Sequence, residues 1–274
     1  MKKPQGGVNP AKLTAWVRKF SVYRRPPSRQ DIQAWLGLFK YEDQTIAIRI
    51  LDNLLLVSET NIQTGYRSAL QGMEGWHGNA RQRTGRWYFC GYAKDTHESG
   101  QTMLRMFAEA NRLQQESHRS MFVSPRELPQ LKLTAEDTLI FVDDVSGSGN
   151  QVVHYWPTML ELIASEARAF LVLTAVTQTA LAAINANTEL EVVAQYVIDH
   201  SGNVFHDDCK FLTAAEKKKL LAYCQMADAK NPQGYGNCGL LLVLSHKTPN
   251  NTIPVIYCHH DGWQGIFPRH LPLD

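Results

Sequence analysis

The residues best suited to chemistry stand together in Phe141-Val-Asp-Asp-Val-Ser-Gly-Ser-Gly-Asn-Gln151. An apolar run ends in two adjacent carboxylates, Asp143 and Asp144, and a loop of small residues leads from them into a helical pattern. In an open α/β sheet, ligands bind at the carboxyl ends of strands, which is where such a loop sits. Gly147 and Gly149 let backbone amides approach a phosphate closely, and Ser146 and Ser148 add hydroxyl donors. The helix N-terminus that follows contributes its partial positive charge. Two carboxylates beside an anion site disfavour a second anion, but they can accept hydrogen bonds from a vicinal diol or hold Mg2+. A phosphate at one end and a diol at the other describe a ribose 5-phosphate. The same residues also suit a plain strand-to-helix turn in which Asp143 or Asp144 is only a cap. The loop is neither a GxxxxGK[ST] phosphate loop nor a GxGxxG dinucleotide loop, since it has no lysine and its acids precede its glycines.

The elements that must position this loop have two rhythms. Up to about residue 84 the apolar spacing is helical. Asn9-Pro10 opens a helix with Leu13, Trp16, Val17 and Phe20 on one face, and Ser28 with Asp31 opens a second carrying Ile32, Trp35, Leu36 and Phe39. A third is expected from about Glu42 to Leu54 and a fourth after Ser58, before a loop marked by Gly72, Gly75 and Gly78. Beyond Gly85, strands alternate with helices. Strands are expected at Trp87–Tyr92, Ser120–Val123, Thr138–Val142, Phe170–Val176 and Val192–Ile198, which argues for a parallel sheet with helices on both faces. A Lys-rich helix from Thr213 precedes two further strands, Leu240–Ser245 and Ile253–Tyr257, joined as a C-terminal β-hairpin by KTPNN. The division expected is a helical lobe, 1–84, and an α/β domain, 85–274.

Composition narrows the class. With 274 residues, 44% hydrophobic and 20% charged, the chain has material for a full core and is neither disordered nor a disulfide-stapled mini-protein. No apolar run is long enough to span a bilayer, and MKKPQGG lacks the apolar stretch of a signal peptide. Five cysteines without a CxxC pair fit reduced thiols and a cytoplasmic location, with no membrane partner. Eight of the 28 basic residues precede the first acid, Asp31, leaving 20 basic against 26 acidic residues in the rest. That basic arm offers a contact to nucleic acid or to an acidic protein, or is simply the solvated face of an amphipathic helix.

VDDVSGSGNQ resembles the phosphoribosyl-diphosphate signature of the type I phosphoribosyltransferases. A closer resemblance is to a branch of phosphoribosyltransferase-like proteins regarded as effectors of bacterial conflict, that is, anti-phage defence. It rests also on LDNLLLVSETNI, on CGYAKDTHESGQTMLRMFAEAN, and on SHKTPNNTIPVIYCHHDGWQGIFPR, and covers most of the chain from about residue 45. The resemblance implies the transferase α/β sheet with helical and C-terminal additions. By motif, Asp143 and Asp144 are the catalytic pair that holds the ribose hydroxyls, with Mg2+ as cofactor. Ser146, Gly147, Ser148, Gly149, Asn150 and Gln151 bind the 5-phosphate. The loop after the first strand handles pyrophosphate, which implicates Lys94, Ser99 and Gly100.

Two departures stand out: Gln151 replaces a usual hydroxyl residue, and Pro157 lies in the helix after the loop. Asn250 and Asn251 belong first to a tight connection, with base recognition as the second reading. His97, His259 and His260 lack metal-ligand spacing. Trp263 and Phe267 are expected to anchor the C-terminus. Three functions from different classes follow: glycosyl transfer or cleavage at ribose C1, a catalytically inactive phosphoribosyl- or nucleotide-binding module, and a nucleic-acid-binding partner within a defence complex.

Overall fold

The computed structural model describes residues 8–92, 99–163, 166–260 and 262–269. In chain order the elements are α1 (Pro10–Phe20), α2 (Arg29–Leu36), α3 (Gln44–Asn53), β1 (Leu55–Val57), α4 (Glu59–Gln71) and β2 (Trp87–Gly91). Then come α5 (Ser99–Ala110), β3 (Thr138–Ser146), α6 (Asn150–Ile163), β4 (Arg168–Thr177), α7 (Gln178–Asn187) and β5 (Glu191–Ile198). The chain closes with α8 (Ala214–Ala227), β6 (Leu242–Leu244), the short α9 (Pro254–Tyr257), β7 (His259–His260) and β8 (Trp263–Gln264). No helix among the described residues is long and apolar enough to cross a membrane.

These elements form two compact units, 1–59 with 200–274, and 60–199. This differs from the boundary expected at residue 84, and strand pairing supplies the reason. β1 ends the N-terminal helices and pairs in parallel with β6, Leu55 opposite Leu242 through Val57 opposite Leu244. The first three helices therefore share one core with the C-terminal segment, including Trp16, Phe20, Trp35, Ile50, Val243, Trp263 and Phe267. The pairing also removes the expected hairpin of 240–245 with 253–257. Pro254, with its φ fixed and no N–H to donate, opens α9 instead of a strand. The antiparallel hairpin of this region is β7 with β8. Trp263 and Phe267 are buried as expected, Phe267 edge-on to Phe20 and Tyr23.

The start of the chain is drawn into the same unit. Asn9 caps α1 by accepting the Ala11 amide at 2.9 Å. Lys12 pairs with Asp52 at 2.6 Å, Trp16 Nε1 donates to Asp52 Oδ1 at 3.0 Å, and Lys19 Nζ donates to the Leu51 and Asp52 carbonyls. At the end of α3, Lys19 satisfies carbonyls that the helix leaves open. Part of the basic arm is thus structural, and burial lowers the Lys19 pKa.

The second unit is built on a four-stranded parallel sheet in the order β2-β3-β4-β5. Its four strands fall where the apolar runs predict. Ser120–Val123 does not add a fifth: it is the end of a 3-10 turn, Glu116–Met121, with one bridge from Phe122 to Phe89. Pro125 follows at once, and proline cannot carry a ladder onward. Leu139, Phe141 and Leu171 pack with Val152, Trp156, Ala180 and Ile184 of α6 and α7 on one face. On the other face Phe89 meets Phe107 of α5, which in turn meets Tyr66 of α4.

A clamp fixes the register of β2 and β3 at their amino ends. Asp137 is buried, and its carboxylate accepts Arg86 Nε at 3.0 Å, Arg86 Nη2 at 2.6 Å and the Arg86 and Thr134 amides. The Arg86 guanidinium and these amides hold the Asp137 pKa well below the usual carboxylate range. Because Arg86 is itself half exposed, Asp137→Asn is expected to cost about 2 kcal/mol, less than a fully buried pair would. A depressed folded pKa gives stability that is whole above the unfolded carboxylate pKa of about 4 and is lost as pH falls toward the folded value. Thermal melts of the wild type and the variant should therefore stay separated from neutral pH to about pH 4 and converge only in stronger acid. A gap that closed at pH 6 would assign the effect to another group.

Candidate functional site

β3 runs further than its apolar stretch. It stays in register with β4 from Thr138 opposite Arg168 to Ser146 opposite Val176, so the two acids lie within the strand and not just beyond it. Both are buried, at 7% and 9% exposure. Successive side chains of a strand alternate between faces. Asp143 therefore follows Leu139 and Phe141 toward α6, where its charge bears on Tyr92. Asp144 lies on the other face by the same alternation, and the charges of both acids bear on Tyr66, that of Asp144 more strongly. Each carboxylate accepts the next backbone amide, Asp144 N at 2.8 Å and Val145 N at 2.7 Å. The acids thus diverge, and they do not form a chelating pair side by side.

The small-residue loop follows directly. Ser146 and Gly147 are buried, Ser148 is half-buried, and Asn150 and Gln151 are exposed in the first turn of α6. Ser148 Oγ accepts the Asn150 amide at 3.3 Å, and the Gly149 carbonyl accepts the first helical bond from Val153 at 3.0 Å. Gly149 has φ +78, a backbone conformation that favours glycine, and a Cβ there would lie 3.1 Å from the Ala180 carbonyl and from Ala183 Cβ. It lets the loop sit on α7. The helix continues through exposed Pro157 to Ile163, so the proline leaves α6 in place after a start at Asn150.

Three positioning residues carry no signal in a motif scan. Thr177 caps α7, its Oγ1 accepting the Ala180 amide, and donates to the Gly147 carbonyl, so one hydroxyl ties the loop to the next strand. Tyr66 donates to the Asp143 carbonyl at 3.1 Å while Thr174 Oγ1 donates to the Tyr66 hydroxyl at 3.4 Å. Burial raises the Tyr66 pKa well above the usual tyrosine value, so this phenol stays protonated. Tyr92, at the end of β2, donates to the Val152 carbonyl in α6 at 2.7 Å. Only Thr177 could have been anticipated, as a threonine at the junction of a strand and a helix.

Gly100 packs against the carboxyl end of β2. A Cβ on it would meet the Tyr92 amide and carbonyl at 3.0 Å, and one on Gly91 would meet Gly100 at 2.9 Å. The two glycines bring the start of α5 onto the carboxyl end of β2, the strand beside β3. Ser99 opens that helix. Lys94, with Glu98 and His97, lies outside the described residues.

Other candidates resolve as structure in the first unit. Asn251 is buried and donates to the Tyr235 carbonyl at 3.1 Å, which supports the reading of KTPNN as a connection. His260 uses both ring nitrogens, on the Ala227 carbonyl and the Gly262 amide. The five cysteines form no disulfide, and burial raises the thiol of Cys90 to about 12 and that of Cys258 to about 11, which keeps both protonated and unreactive. Among the described residues no group of three or more His, Cys, Asp or Glu gathers to hold a metal. The donor set fits Mg2+ only in the mode where one carboxylate joins phosphate oxygens and water.

A parallel α/β sheet whose second strand carries two acids near its carboxyl end and runs into a small-residue loop and a helix start is that of a phosphoribosyltransferase-like protein. The model of the PRTase-CE family matches residues 32–269, and the chain belongs to that family. No curated protein matches it.

Proposed function

We propose that this chain acts on a ribose 5-phosphate donor, phosphoribosyl diphosphate or a nucleotide, by glycosyl transfer or cleavage at C1. The observation that carries the reading is the continuous path from Asp143 and Asp144 through Ser146–Gly149 into α6, a diol acceptor next to a phosphate cradle. In this reading the loop amides, the Ser146 and Ser148 hydroxyls and the α6 N-terminus hold the 5-phosphate. One carboxylate orients the ribose hydroxyls, and the negative charge of both stabilises the oxocarbenium-like ring as the bond at C1 breaks. The leaving group departs with the electron pair, and an acceptor or water forms the new bond at C1. Mg2+, when bound, neutralises diphosphate charge. The biological setting proposed is cytoplasmic anti-phage defence, with nucleotide modification or depletion as the toxic outcome.

The exposed Gln151, where a hydroxyl donor is usual, favours a second reading, a module that binds such a ligand without turnover. Phosphorus NMR of the purified protein with phosphoribosyl diphosphate and Mg2+, with and without added bases, separates the two. Release of pyrophosphate supports the enzyme, saturable binding without release supports the module, and no binding overturns both. Nucleotide pools measured after induction in cells test the toxic outcome, and unchanged pools during growth arrest would oppose it.

A further inference from the structure

The second unit has a cavity of about 650 Å3 that the loop chemistry does not use. It is lined from the ends of α4 and α5 and from the turn after α4, by residues including Arg67, Trp76, His77, Asn111, Arg112 and His118. α5 runs back from the carboxyl end of β2, so its last turn lies about 18 Å away, at the amino ends of the strands. Trp76 confirms the place by packing edge-on to Trp87, the first residue of β2. This is the opposite end of the sheet from Asp143.

The charge of the lining is positive, carried by the exposed Arg67 and Arg112. Among the described residues that line it there is no acidic side chain, against two guanidiniums. Arg67 Nε donates to the Ala110 carbonyl at 3.1 Å, which fixes its stem and also neutralises the end of α5. Arg112 occupies the position just past that helix with φ 57. The Leu113 amide donates to Ala108 and the Arg112 amide to Glu109, the bonding of a left-handed helix stop. Glycine is the residue that suits this position, and an arginine there is strained. The strain is explained if the guanidinium is needed where it stands.

Neutral donors complete the lining. His77 Nδ1 accepts the Asn79 amide at 3.0 Å, so in the neutral ring the proton is on Nε2, a donor. His118 is half-buried and adds a ring to the lining. The wall is preformed. Arg83 stacks on Trp76 at 4.1 Å and donates to the His77 and Gly78 carbonyls, holding the turn. The volume falls in the range of small-molecule pockets and exceeds what inorganic phosphate would fill. The Asn111 amide, with its Nδ2 donating to the Phe107 carbonyl at 3.0 Å, leaves its carbonyl oxygen to accept from a base.

We propose that this cavity is a second ligand site that binds a nucleoside monophosphate, with the phosphate on Arg67 and Arg112. It is independent of the site on β3, and the test keeps the two apart. The full-length Asp143→Asn/Asp144→Asn protein is titrated calorimetrically with AMP, GMP, CMP and UMP, and with inorganic phosphate. At least one nucleotide is expected to bind, more than tenfold tighter than phosphate. Adding Arg112→Gly should weaken that binding at least tenfold while the melting temperature holds or rises, because glycine suits the helix stop better. Arg67→Gln should weaken it similarly. Absence of binding by all four nucleotides overturns the proposal, as does binding that Arg112→Gly leaves intact. Phosphate binding as tight as any nucleotide removes the nucleoside part. If the wild type binds a nucleotide that the double Asn protein does not, the ligand belongs to the loop on β3.

Discussion

Replacing Asp143 and Asp144 together by Asn is expected to abolish ligand-dependent activity while the protein melts at its usual temperature or above. The two carboxylates are adjacent, buried and on opposite faces of one strand. Each holds a backbone amide that an Asn carbonyl oxygen can hold equally well. Folding loses little by the exchange and gains relief from desolvating two charges. Binding loses much more. Hydrogen bonds from ribose hydroxyls to a carboxylate are charge-assisted and about twice as strong as those an Asn carbonyl oxygen accepts, so weakening two by about 1 kcal/mol each lowers affinity about thirtyfold, before the lost charge stabilisation of the reacting ring is counted. A melting curve and a titration with phosphoribosyl diphosphate decide the matter. Wild-type affinity in a well-folded double variant would reduce the acids to caps and move the function elsewhere.

The sheet was legible because buried parallel strands announce themselves. TLIFV and FLVLTAV are continuous apolar runs of a length that helices rarely have, and each is followed by a helical rhythm. The caps were legible for the same local reason: Asn9, Ser28 and Thr213 each accept an amide of the helix that follows. What could not be read was pairing over long sequence distance. Leu55–Val57 is three residues long and continues a helical stripe, so nothing local distinguishes it as the partner of Leu242–Leu244. The division of the chain depends on that one ladder. Within the site, residue types located the loop, but their directions could not be foreseen. A strand ending at Val142 leaves Asp143 and Asp144 free to converge, and only the extension of the β3–β4 ladder to Ser146 shows that they diverge. Arg112 is legible only through its backbone, since an arginine after a helix is otherwise unremarkable.

Gly149→Val is expected to cost about 2–5 kcal/mol of stability, and so to silence the protein by a route unrelated to phosphate. The residue sits at φ +78, which a β-branched side chain adopts only with strain of about 1–2 kcal/mol or more. Its Cβ would press on the Ala180 carbonyl and the Ala183 methyl at 3.1 Å, and neither is the tip of a flexible side chain that could swing away. Overpacking of that kind adds about 1–3 kcal/mol. The total is a large share of the roughly 5–15 kcal/mol that holds a typical domain. Ser148→Ala is the cleaner probe of the same loop. It removes one hydroxyl from a half-buried position whose only described bond is a long one to the Asn150 amide, so stability should fall by no more than about 1 kcal/mol. Affinity for a 5-phosphate should fall about tenfold if that hydroxyl donates to it. Parallel thermal melts and titrations distinguish the two effects. A Gly149→Val protein melting at the wild-type temperature would show that the loop is not seated on α7, and its lost binding would then report on the phosphate after all.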